Sequence, residues 1–154
     1  MQRLTRGEIQ RFTEAAPAIL RVYETVLGAV FDAQGARWTD FKLRVGAAMS
    51  AVELALHSRL QVRRALWHAS MVLVSLKGAA PRGHDSEAML ETLTAMAHTV
   101  SIVSIACDSE TASEASVRQA KRFLAALSAG PVTFDALLAA HEATFLDDGQ
   151  TARG

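Results

Sequence analysis

Five polar side chains, Glu53, His57, Gln61, Arg64 and His68, follow one another at steps of three or four residues, which lines them along one stripe of a helix. Histidine changes charge near neutral pH, so such a stripe has the parts for proton transfer, metal ligation or a charged contact surface. Metal ligation fits poorly. Glu53 and His57 sit one turn apart and can both reach one ion, but carboxylate-bridged di-metal bundles use Glu-x-x-His pairs on two helices. Neither Glu53 with His57 nor Glu91 with His98 has that spacing, and the chain holds no His-Glu-x-x-His and no Cys-x-x-Cys for zinc. Cys107 ends an apolar stretch with no lysine or histidine beside it, which predicts a small buried hydrophobe rather than a nucleophile. Glycine motifs that cradle phosphates are missing as well. No metal and no cofactor is expected, and the plainest role for the stripe is a ladder of side chains along the helix or a polar strip facing the acidic C-terminal half.

Arg63 and His68 carry one further pattern. Their Arg-x-x-x-x-His spacing, in a helical chain of this size, resembles that of the HEPN domains, helical nucleotide-binding ribonucleases of higher eukaryotes and prokaryotes. The resemblance implies a homodimer whose paired arginines and histidines line a cleft and cleave RNA, with the histidine as acid or base. On it, Arg63 and His68 are the catalytic residues. It covers six residues, 63–68, and Arg64 stands where that family places a small polar side chain.

These side chains need helices to hold them. Residues 39–78 contain no proline, one interior glycine (Gly46) and apolar residues at helical spacing, which predicts one long central helix over about 40–77, capped by Thr39 or Asp40. At about 100° per residue, Met49, Leu56, Leu60, Trp67 and Met71 fall on one side and Ala55, Val62, Leu66 and Leu73 on a second. This helix is therefore expected to be sandwiched between neighbours. Before it, Thr5-Arg6-Gly7-Glu8 has the form of a capping box, and Pro17 is expected to kink or restart the helix that begins there.

After it, a loop over 78–83 leads to a helix from Asp85 or Ser86 to about Cys107, apolar nearly all round and predicted to be the most buried. Its Thr94, Thr99, Ser101 and Ser104 are expected to bond to carbonyls one turn back. Thr111-Ala112-Ser113-Glu114 offers a second capping box, after which Val117, Ala120, Phe123, Leu124 and Leu127 point inward. Gly130-Pro131 stops that helix, and Thr133 caps a last one with Phe134, Leu137, Leu138, His141 and Phe145 on one stripe. The fold class is all-α: a single-domain bundle of five or six helices over 1–146, with a polar tail, 147–154, expected to be disordered.

Composition agrees with helices, since half of the 154 residues are apolar, 6% are aromatic and three are prolines. The single cysteine excludes an internal disulfide, and Met1-Gln2-Arg3-Leu4-Thr5 lacks the apolar core of a secretory signal, so the cytoplasm is the expected compartment. The nearly apolar runs 65–76 and 94–107 fall short of the roughly 18 to 20 residues that cross a bilayer, so no membrane partner is expected. Net charge is zero, yet residues 1–82 carry 12 Lys+Arg against 6 Asp+Glu, and residues 83–154 carry 4 against 10. Halves of opposite sign attract each other within a fold or between copies, and nucleic acid is favoured only where the basic face stays open. The function expected first is non-enzymatic protein–protein contact of a regulatory, chaperone or inhibitor type, with a protein partner or a second copy as a homodimer. The HEPN-like ribonuclease using Arg63 and His68 is the alternative, and a small-ligand binder with an internal pocket lined by His57 or His98 is a further one.

Overall fold

A computed structural model describes residues 3–34, 43, 46, 50, 62–76, 86–127 and 130–153. The described residues are all-helical, with no strand, and form five helices: α1 (Arg6–Gln34), α2 (Val62–Ser75), α3 (Ser86–Asp108), α4 (Glu114–Ala126) and α5 (Phe134–Arg153). Of the long helix expected over 40–77, Val62–Ser75 is described as α2, and Leu43, Gly46 and Ser50 are helical. Its continuity lies outside the described residues.

The capping box at the start of α1 closes in both directions. The Thr5 amide donates to Glu8 Oε1 at 2.8 Å and the Glu8 amide donates to Thr5 Oγ1 at 3.1 Å. Pro17 neither restarts nor ends the helix: α1 runs unbroken from Arg6 to Gln34 with the proline inside it. A proline in a helix interior costs about 3 kcal/mol, because it removes a donor and crowds the preceding turn. The core residues on either side outweigh that cost, for Phe12 and Ala16 before it and Ile19, Leu20 and Tyr23 after it are all buried on one wall. Each large side chain so buried contributes about 1.5–3 kcal/mol.

Side-chain bridges fix the topology. Arg63 Nη1 donates to Thr13 Oγ1 at 3.1 Å and Tyr23 Oη lies 2.9 Å from Ser70 Oγ, so α1 and α2 run parallel. Arg63, in the first turn of α2, also reaches Asp108 at the end of α3, 2.8 Å away, which sets those two helices antiparallel. Lys121 Nζ meets Glu8 Oε1 at 2.8 Å and Arg11 Nη1 donates to the Leu124 carbonyl at 3.3 Å, making α4 parallel to α1.

Helix α3 touches each of the other four, so among the described residues it, rather than α2, holds the centre of the bundle. Leu93, Met96, Ala97, Val100 and Val103 are fully buried there. Thr94, Ser101 and Ser104 enter the core by donating to the carbonyls of Glu91, His98 and Val100, as expected of hydroxyls in a buried helix. The stretch Ala88–Asp108 is, by length and composition, long and apolar enough to cross a membrane, which the shorter runs in the sequence do not suggest. Two-thirds of its most apolar window is buried against the neighbouring helices, as in the core helix of a bundle.

The later helices hold one further departure. The cap of α4 is Ser113, not Thr111: its hydroxyl accepts from the Ser116 amide at 3.1 Å, while Thr111 Oγ1 sits 3.0 Å from Ser109 Oγ. Three hydroxyls at alternate positions compete for one helix start, and the residue adjoining the first helical turn takes it. Val117, Ala120, Phe123, Leu124 and Leu127 then face inward as their spacing predicts. Thr133 caps α5 through the Ala136 amide at 3.1 Å. This last helix runs from Phe134 to Arg153.

Candidate functional site

At about 100° per residue, Arg64, Trp67, His68, Met71 and Ser75 fall within roughly 100° of arc on α2. All five are exposed. The opposite side carries Val62, Ala65, Leu66, Ala69, Ser70 and Leu73, all buried against the core. Trp67 and Met71, predicted to lie on a second buried side, are instead 39% and 38% exposed. The described part of the helix is therefore packed on one side, not sandwiched. The periodicity is real on both sides, but periodicity alone does not say whether a neighbour is present to cover each.

Of the five-residue polar stripe, Glu53, His57 and Gln61 lie outside the described residues. Arg64 and His68 are described, and both face solvent beside Trp67 and Met71. Contact with the acidic half falls instead to Arg63, whose guanidinium is held by Asp108 at 2.8 Å and by Thr13 at 3.1 Å. Arg63 and His68, five residues apart, point about 140° away from each other round the helix. One is tied into the contact of α1, α2 and α3, and the other lies on the outward face.

The groups whose protonation the fold shifts sit at separate helix contacts. Burial alone would raise the Glu8 carboxyl, but bonds from Lys121 and Thr5 and the charge of the lysine outweigh it and hold the group below the ordinary carboxylate range. Burial pushes the Tyr23 phenol up, against the bond to Ser70. Burial likewise pushes the Cys107 thiol up to about 12, with Arg63 opposing it and Asp108 and Glu8 adding to it, so this half-buried cysteine stays protonated and unreactive. His141 is lowered, first by burial and further by His98, with Glu142 opposing. Its Nδ1 lies 2.7 Å from Thr99 Oγ1, and its ring meets Phe145 edge to face at 6.1 Å between centroids. His98 itself is exposed. Among the described residues no three of His, Cys, Asp and Glu come together as a group that could hold a metal ion.

Sequence spacing missed the contacts that join distant segments, Arg63 with Asp108, Tyr23 with Ser70 and Thr99 with His141. They are 45, 47 and 42 residues apart, and no local period can register them. No protein-family model matches the chain, and neither a curated protein nor a solved structure does.

Proposed function

We propose that this chain is a non-enzymatic helical interaction module that pairs with a second copy of itself through the outward face of α2. The observation that carries this reading is the exposure of Trp67 and Met71 one turn apart on the same face. Burying side chains of this size contributes about 1.5–3 kcal/mol each, and tryptophan is among the residues enriched at the energetic centres of interfaces. A two-fold axis crossing α2 between them sets Trp67 of one copy on Met71 of the other, twice over, which is the self-complementary arrangement a symmetric dimer requires. Arg64 and His68 form a polar rim round that centre.

The shifted groups support the same reading. Glu8, Tyr23 and His141 each serve a contact between helices, and the Cys107 thiol is held protonated. The arginine that a ribonuclease site would use is committed to Asp108 and Thr13. Light scattering at low and high salt tests the proposal: the wild type is expected at twice the chain mass, and Trp67→Glu at the chain mass with unchanged helicity. A wild-type monomer at both salts, or a Trp67→Glu dimer of unchanged affinity, overturns it.

A further inference from the structure

Helices α1 and α4 run side by side through Glu8–Lys121 and Arg11–Leu124, but α4 ends at Ala126 while α1 continues to Gln34. Gly130 and Pro131 lead into α5. A groove of about 440 Å³ opens there. Val22 and Val26 of α1 line one side, and Pro131, Val132 and Phe134 the other. This is a different face from the outward stripe of α2, because Arg21 and Thr25 point about 160° away, in either sense, from Tyr23, which faces Ser70 of α2.

Arg21 is the one charged residue among those lining the groove. It is exposed, and no ion pair or hydrogen bond ties its guanidinium among the described residues. Thr25, one turn on, adds a hydroxyl at the same rim. The other hydroxyl there, that of Thr133, accepts from the Ala136 amide as the cap of α5. Asp135 stands in the first turn of α5 but does not line the groove. The volume lies in the range of small-molecule sites, about 300–1,000 Å³, and mostly apolar walls with a few polar or charged groups are the usual make-up of such sites.

We infer that this groove binds a small amphipathic carboxylate, its hydrocarbon part on Val22, Val26, Pro131 and Val132 and its carboxylate on Arg21. One guanidinium presents a planar fork that matches one carboxylate, and among the described residues no second cation lines the groove to hold another charge. Binding here is independent of the pairing through α2, so the monomeric Trp67→Glu variant is expected to keep it.

Sodium octanoate is the probe, titrated into isotopically labelled protein while the methyl signals of Val22, Val26 and Val132 are followed. Saturable shifts of these signals are expected, with octanol binding at least about tenfold more weakly, the equivalent of one modest charge-assisted contact. Arg21→Ala is expected to bring octanoate down to the octanol level, and Arg21→Lys to retain part of the difference. Since Arg21 is exposed and untied, both variants should melt with the wild type. Val26→Trp, which fills the groove, should abolish binding of both compounds. Absence of saturable shifts, equal affinity for octanoate and octanol, or an Arg21→Ala variant that binds octanoate as well as the wild type overturns the inference.

Discussion

The α1–α2 contact and the α3–α5 contact are each crossed by a hydrogen bond between a small hydroxyl residue and an aromatic side chain, Ser70 with the Tyr23 phenol in the first and Thr99 with the His141 ring in the second. The bonds are of similar length, 2.9 and 2.7 Å, yet their settings differ. Tyr23 and Ser70 are both fully buried, whereas His141 is only half-buried and packs against the exposed Phe145. In the first pair neither group can turn to water, so each depends on the other and the bond fixes how α1 lies on α2. In the second, Thr99 has the Ala95 carbonyl at 3.4 Å as another acceptor, and His141 can exchange protons with solvent. Burial, rather than the bond itself, makes one contact a fixed register pin and the other sensitive to pH.

The largest effect should come from Tyr23→Ala, which empties a fully buried site and is expected to cost about 3–5 kcal/mol in denaturant unfolding. Tyr23→Phe keeps the ring but leaves the buried Ser70 hydroxyl without its phenol partner, for about 1–3 kcal/mol. Ser70→Ala in that background should then cost less than it does alone, because the two groups share one interaction. Additive costs would mean that Tyr23 and Ser70 contribute independently of each other. Tyr23 is the single tyrosine in the chain, so phenolate absorbance reports on it alone. Its folded pKa is raised, so the protonated form is favoured and its contribution is complete below the ordinary value near 10 and is lost as pH rises through the folded value. Phenolate absorbance is therefore expected to appear together with unfolding and not before it.

At the wet end the sign reverses. The folded pKa of His141 is lowered from 6.5, so the neutral ring is favoured and its contribution is complete above about pH 6.5 and is lost as pH falls through the folded value. Melting temperatures between pH 8 and pH 5, a window set about that ordinary value, should fall for the wild type and fall less for His141→Phe. Parallel curves for the two proteins would remove the distinction. The smallest effect is expected at Arg63, whose ion pair with Asp108 is part-exposed, with side-chain exposures of 32% and 49%. Arg63→Ala should cost no more than about 1 kcal/mol, measured by the same unfolding assay.

Local signals in the sequence reached a long way. The helical class, the inward residues of α4, the caps at Thr5 and Thr133 and the hydroxyls bonded back along α3 all follow from interactions spanning three or four residues. Failures came where two local signals competed or where a neighbour mattered. Pro17 signals a kink or a restart, and with Phe12, Ile19 and Leu20 buried on either side of it no restart occurs, while the cap falls on Ser113, two residues after Thr111. At the candidate site, Arg64 and His68 could be named from spacing, but not their exposure or the commitment of Arg63 to Asp108.

The sequence by itself determined that this chain forms amphipathic helices and which stripes of them are apolar, because the period of a helix and the chemistry of its ends are properties of neighbouring residues. Only the tertiary structure decided which stripes are covered. Whether Trp67 is core or surface, whether Arg21 has a partner and whether a seam closes or opens into a groove depend on where a distant segment ends, and that is settled by packing across the whole bundle.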